Sequence, residues 1–479
     1  MADKGFCVHG HFYQPPREDP LTGEIPPETG AEPYPNWNER ILAECYRPNA
    51  LQGNFERISF DIGPTLFEWL LKADPITAAR IVSQDRANVR RFGVGNAMAH
   101  PFHHVILPLA SRRDKSIQIS WGIAEFTERF GRRPEGMWLP ETAVDLETLE
   151  VMSELGIRYT ILAPWQAHDS SVDTLRPQRV DLQNAGWMAV FFYHGGLSSR
   201  VSFDPSSTVN ADLFAAETLS AGYSSHLESS KDAQLLMIAT DGELYGHHQP
   251  FRDRFLEHLL DGALSQRSIQ ATFPALWLKM HPPAQRVRIR ENTSWSCHHG
   301  LERWRAACGC VPDGSWKAPL RKAMNRLAAS LDRLYDDGLH PLGVDPHILL
   351  QDFVFVLLGK IDLDELVRSH AARKLDEEEV RRVGLLLKSQ YERQRAFTSC
   401  GWFFEDFDRI EPKNNIAYMS QAVWLAYLAT GISLRSQALA AFSKVKSPRS
   451  GLRGDQIFSY HLGRAEAALE WPGNLNSNY

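Results

Sequence analysis

The chain has 479 residues, 43% hydrophobic and 23% charged, with a formal net charge of -6. That length predicts one large domain plus a smaller one, and the acidic balance leaves no basic footprint and argues against nucleic acid as a partner. No apolar run approaches the roughly 20 residues that span a bilayer, which argues against a membrane partner. MADKGFCVHGHFYQPP passes within a few residues into a strand end, leaving no room for a cleavable signal, so a cytoplasmic protein is expected. Six cysteines are too few for a disulfide scaffold.

In chain order, short apolar runs bounded by turn residues predict strands at GFCVHG (5–10), RISFDIG (57–63), RRFGVGN (90–96), PEGMWLPE (134–141), RYTILAP (158–164), QLLMIATDG (234–242) and RVRIREN (286–292). WMAVFFYHGG (187–196) reads as an extra strand or hairpin. Helical patterns lie between them, so a βα-type domain with a mainly parallel sheet is expected. Polar residues stand at the ends of these runs: His9 and His11, Asp61, Asn96, Glu141, Trp165 with Gln166, Asp241 with Glu243, and Glu291 with Asn292. If the strands form a parallel barrel, their C-terminal ends share one rim, which predicts a single rim site. From about residue 311 the pattern turns helical. Leu320, Met324, Leu327, Leu331 and Leu334 recur at spacings of three and four on one helix face. The expected division is a catalytic barrel over 1–310 and an α-helical region over 311–479.

Two carboxylates carry the sharpest chemical reading. Glu141 follows Pro140 at the end of an apolar run, although an acid there also suits the start of a helix. Asp241 ends the most apolar strand candidate, where an acid is costly to bury unless it is used, although an Asx turn with Gly242 is the plainer alternative. Two carboxylates offered by two strands can divide glycosidase labour, one attacking the sugar and one protonating the leaving oxygen. His9 and His11 share a strand face, and with His247 and His248 they invite a metal reading, but the two-turn pair of a zincin is missing. SWSCHHGLERWRAACGC brings Cys297, His298, His299, Cys308 and Cys310 close in sequence. Without the usual Cys-x-x-Cys knuckles, free buried cysteines are favoured over a structural zinc. His100, His103 and His104 in GNAMAHPFHHVILPL are candidates for the rim or for the core.

Taken together, HGHFYQPP, GMWLPE and IATDGELYG resemble, in order and spacing, motifs of glycoside hydrolase family 57, retaining enzymes of α-glucans with an incomplete (β/α)7 barrel followed by a helical region. The resemblance implies Glu141 as nucleophile and Asp241 as acid/base. It implies His9, His11, Gln14, Trp138 and Glu243 as substrate-binding residues, and TSCGWFFEDFDRIE is similar to the last motif, adding Trp402 and Asp406. It implies an α-glucan or maltooligosaccharide substrate and neither cofactor nor metal. The chain departs from the family at Met98, where Gly-Asn is normally followed two residues later by glutamate. PNWNERILAECYRPNA and the Cys/His cluster look like features of a sub-branch with a long helical extension. Two alternatives stay open: a metal-dependent, polysaccharide-deacetylase-like hydrolase using His9, His11 and Asp241, and a non-catalytic glucan-binding protein on the same scaffold.

Overall fold

The computed structural model describes residues 3–223 and 232–468. The chain forms two compact units, one of Met1–Gln14, Pro27–Phe102 and Phe126–Trp295, the other of Pro15–Pro26, His103–Glu125 and Ser296–Tyr479. The sequence places the division at 310/311, whereas compactness places it at 295/296 and joins two early segments to the second unit.

The first unit is built on β1 (Lys4–Phe12), β2 (Ser59–Ile62), β3 (Ala97–Met98), β4 (Tyr159–Leu162), β5 (Gln178–Asp181), β6 (Trp187–Phe192), β7 (Gln234–Asp241) and β8 (Gln270–Ala271). β1 is buried along nearly its whole length, as a strand covered on both faces must be. It pairs in parallel with β7 on one side and with β2 on the other, and β2 pairs with β3. Single parallel bridges, Ala99 to Met137 and Gly136 to Tyr159, carry the ladder through the segment 136–139 to β4, which pairs with β6. One backbone hydrogen bond, from His194 N to Met237 O at 2.8 Å, links the chain beyond β6 to β7. Among the described residues no strand ladder joins β6 to β7, and the strand order is that of an incomplete parallel (β/α)7 barrel.

Three expected elements differ. The run at 187–196 is an integral parallel barrel strand, and the unpredicted β5 adds to it antiparallel. The run at 286–292 makes only isolated bridges, from Arg286 to Arg179 and from Ile289 to Ala167, because its alternating arginines leave one face too polar for burial. RRFGVGN ends a helix at Phe92, and the strand starts only at Ala97.

The barrel core contains Cys7, Tyr159, Ile161, Ala163, Ala189, Phe191, Tyr193, Leu235, Met237 and Ala239. Within each strand they recur every second residue, as side chains facing one interior must, and Met98 and Trp138 belong to the same cluster because parity is set strand by strand. On β1 and β7 the same inward columns continue toward the C-terminal rim as His9, His11 and Asp241.

The second unit is helical. In Lys317–Leu339 the buried stripe runs through Leu320, Met324, Leu327 and Leu331, then passes to fully buried Tyr335, while Leu334 is only half-buried. Glu377–Arg395 starts at a capping box between Asp376 and Glu379. It packs on Ile410–Thr430, a helix buried around most of its circumference. Arg393 sits between Asp114 at 2.6 Å and Asp332 at 2.8 Å, which compensates its burial. Among the described residues no helix is long and apolar enough to cross a membrane.

Candidate active site

Strand register assembles the rim. His11 lies opposite Asp61 on β2 and opposite Asp241 on β7, and Asp61 lies opposite Met98 on β3. Met98, Asp61, His11 and Asp241 therefore form one layer across four adjacent strands. Neighbouring strands lie about 4.8 Å apart, so the two carboxylates flank His11 roughly 10 Å apart at the backbone. Asp61, fully buried, receives both imidazoles: His9 Nε2 is 3.2 Å from Oδ1 and His11 Nδ1 is 2.9 Å from Oδ2. The other nitrogen of His9 lies 2.9 Å from Ser59 Oγ.

Both histidines stack on Trp138, with ring centroids 4.5 Å (His9) and 5.4 Å (His11) away. The wall continues from His11 to Tyr13 at 5.9 Å and His100 at 5.6 Å. Burial lowers His11 to about 4, against the opposing charge of Asp241, and lowers His100 likewise to about 4. At neutral pH both rings are uncharged hydrogen-bonding groups.

Asp241 keeps solvent-accessible surface, yet dense protein around it raises its carboxyl to about 6. Desolvation is the largest cause; His11 opposes it, and the negative charges of Glu141 and Asp61 add to it. Gly242 follows because the ring of Phe12 packs there: a Cβ would lie 2.4 Å from Phe12 Cδ1. Glu243 does not continue the strand face of Asp241. β7 ends at Asp241, and the 3-10 turn Gly242–Leu244 carries Glu243 inward. There Glu243 accepts from Tyr46 Oη at 2.7 Å and Tyr13 N at 3.1 Å. Burial, partly opposed by the Tyr46 bond, raises Glu243 to about 8, so it is neutral when Asp241 is half ionised. Gln14, also buried, hydrogen-bonds the same Tyr46.

Glu141 sits on a strained turn. Glu141 and Thr142 have φ of 59° and 48°, the left-handed region that costs non-glycine residues roughly 1–2 kcal/mol each. Gln166 clamps this turn: its Oε1 accepts from Thr142 Oγ1 at 2.8 Å, and its Nε2 donates to Thr142 O at 2.8 Å. Trp295 fixes the carboxylate, with its backbone N on Glu141 O at 3.0 Å and its indole Nε1 on Glu141 Oε2 at 3.0 Å. A hydrogen bond to a charged group is worth roughly 1.5–3 kcal/mol. Trp295→Phe is therefore expected to lower kcat about 10- to 100-fold with KM nearly unchanged. Steady-state kinetics check this, and an unchanged kcat would remove Trp295 as the positioning residue.

The remaining candidates are placed as follows. Met98 is buried, with its sulfur 3.7 Å from Ser59 Oγ, so the layer has an apolar side chain where the resemblance leads one to expect a carboxylate. Trp402 belongs to the second unit, fully buried with the Arg321 guanidinium 3.8 Å from its ring centroid, and Asp406 there pairs with Arg449 at 3.2 Å. His103 and His104 are also in that unit, against Gln118 and Ser399. His247 Nδ1 lies 2.5 Å from Glu44. Glu291, grouped with the rim by sequence, instead accepts from Leu146 N at 2.9 Å at a helix start.

The place of Asp61 after an apolar run is the one local signal of its role. Nothing local marked Trp295 or Tyr46, because each acts on a residue more than 150 positions away. In the second unit Cys297, His299, Cys308 and Cys310 converge as the ligand atoms of a possible metal site.

Residues 81–290 match the model of glycosyl hydrolase family 57, and residues 313–470 match a domain of unknown function, DUF3536. A stretch of 151 residues, 30% of the chain, is 28% identical to Alpha-amylase 1 of Dictyoglomus thermophilum and covers 20% of that protein's length. Among solved structures, an exo-type maltose-forming amylase from Pyrococcus sp. ST04 superposes with a TM-score of 0.73 at 15% identity, over 96% of this chain and 88% of that one. A GH57-type branching enzyme from Pyrococcus horikoshii superposes with a TM-score of 0.63 at 15% identity, over 99% of each chain. At such identities these superpositions show the fold.

Proposed function

We propose, from the match of residues 81–290 to the model of glycosyl hydrolase family 57, that this protein is a retaining glycoside hydrolase or glucanotransferase acting on α-1,4-linked glucans. The observation that carries the reading is the pairing of a carboxyl raised to about 6, Asp241, with a second carboxylate, Glu141, whose charge contributes to that shift. Such opposed roles for two carboxyl groups are what double displacement requires.

Glu141, oriented by the Trp295 indole, attacks the anomeric carbon while protonated Asp241 gives its proton to the leaving glycosidic oxygen. Ester formation removes the charge of Glu141, and the Asp241 carboxyl then favours its base form. It next takes a proton from water, giving hydrolysis, or from a sugar hydroxyl, giving transfer. His9, His11 and Trp138 form the wall against the sugar. The Trp138 indole N–H is buried and has no hydrogen-bond partner among the described residues, so a substrate hydroxyl there would satisfy it. The alpha-amylase match supports an α-glucan as substrate. A metal-dependent reaction through His9 is disfavoured because both ring nitrogens of His9 are already engaged.

The test is incubation with a single maltooligosaccharide and sizing of the products. Shorter products alone indicate hydrolysis, and longer ones as well indicate transfer. A substrate pool unchanged in length and linkage would overturn the reading.

A further inference from the structure

The segment between Trp295 and the helix Lys317–Leu339 is anchored by buried Leu301, Trp304 and Trp316 and by the Arg321 guanidinium on Trp304 O at 2.8 Å, yet it forms no regular structure. It contains only the short turns Glu302–Trp304 and Gly314–Trp316, and its backbone bonds are local, such as Gly300 N to Cys297 O at 3.1 Å and Val311 N to Cys308 O at 3.2 Å. A connection of this length without regular structure is uncommon in a packed unit unless something else fastens it.

Four side chains converge in it. Cys297 Sγ lies 3.6 Å from Cys308 Sγ and 3.9 Å from Cys310 Sγ. His299 Nδ1 lies 3.2 Å from Cys308 Sγ and 3.4 Å from Cys310 Sγ. All four atoms fall within 4.8 Å of one another. A tetrahedral zinc with Zn–S about 2.3 Å and Zn–N about 2.0 Å has S–S edges of about 3.8 Å and S–N edges of about 3.5 Å. The observed separations are close to those edges. They are far from the roughly 2.05 Å of a disulfide, and all three cysteines are free thiols.

We propose that Cys297, His299, Cys308 and Cys310 bind one zinc ion in a closed structural site. Three thiolates and an imidazole are soft and borderline donors, a set that selects zinc over magnesium or calcium. With four protein ligands no position is left for a substrate, so the ion's role is to fasten the segment. Charge supports the assignment. Zinc with three thiolates and one neutral imidazole carries a net charge of about -1, and Lys317 is completely buried nearby. Its Nζ has no hydrogen-bond partner among the described residues, and it interacts electrostatically with Cys308 and Cys297. The neighbouring His298 is not part of the cluster. The spacing Cys-x-His and Cys-x-Cys explains why a search for Cys-x-x-Cys knuckles undervalues the site.

The full-length protein, purified under reducing conditions without chelator, is assayed for zinc by elemental mass spectrometry. About one zinc per chain is expected, falling to near zero in the Cys308→Ser/Cys310→Ser double variant. To keep the test independent of that variant's folding, wild-type protein is also stripped and reloaded with cobalt. Thiolate-to-cobalt charge transfer together with the visible bands of tetrahedral cobalt is expected, as is a melting temperature that falls on stripping and recovers with zinc. The proposal is overturned if the reduced wild type neither holds zinc nor gives the cobalt bands. Zinc retained by the double variant would overturn it too, by locating the ion elsewhere, as would thiol counting that finds two of these cysteines joined in a disulfide.

Discussion

Glu141→Ala protein is expected to fold and to lose turnover on maltooligosaccharides by roughly four to six orders of magnitude, the range seen when a covalent nucleophile is removed. Glu141 is only half-buried, so its loss leaves no large cavity, and the turn remains clamped by Gln166 on Thr142. The rate measurement is therefore paired with a thermal melt, which separates lost chemistry from lost fold. Azide supplies a stereochemical check. In the alanine variant it can enter the space of the carboxylate and attack from the face opposite the leaving group, giving a glycosyl azide of inverted configuration. In Asp241→Ala it attacks the covalent intermediate instead, giving net retention. A Glu141→Ala enzyme with wild-type turnover would remove Glu141 from the nucleophile's role.

The second large effect lies in the pH dependence of Asp241. Its carboxyl titrates at about 6, raised chiefly by desolvation, with His11 opposing and Glu141 and Asp61 reinforcing. The first chemical step needs the protonated form, so kcat/KM is expected to fall about tenfold per pH unit above that value. Asp241→Asn removes this limb. It also lowers the rate on natural glucans by orders of magnitude, and much less on an aryl glycoside whose leaving group needs no proton. A limb that persists unchanged in the asparagine variant would assign the titration to another group.

The same shift has a stability consequence of definite sign. The folded pKa is raised above 3.8, so folding takes up a proton. That contribution is fully present below the unfolded value and is lost as pH rises through about 6. The melting temperature of Asp241→Asn should accordingly decline less between pH 4 and 7 than that of the wild type.

Much of the site is legible in the chain because strand alternation is a local property. Once GFCVHGHF is a strand, His9 and His11 must share a face, and the odd-numbered core column beneath them makes that face the interior one. The same reasoning puts Asp241 at the end of an inward column, and the helical stripe from Leu320 to Leu331 follows from spacing alone. Pairings across the chain are another matter. Asp61 as common partner of two histidines depends on the register between β1 and β2, and no pattern within either strand specifies a register. Glu243 turns away from Asp241 because Tyr46 and Tyr13 offer it hydrogen bonds from distant segments, which outweigh a continued strand.

By itself, then, the sequence determined the two periodicities, the positions of β1, β2, β4 and β7, and the polar residues His9, His11, Asp61 and Asp241 toward their ends, since each depends on neighbours a few positions away. Only the tertiary structure decided that Trp295 holds Glu141, that Asp61 lies between His9 and His11, and that His299 rather than His298 meets the three thiols. Those choices depend on where packing brings side chains together, and contact across the fold is a property of the assembled core rather than of any local stretch of chain.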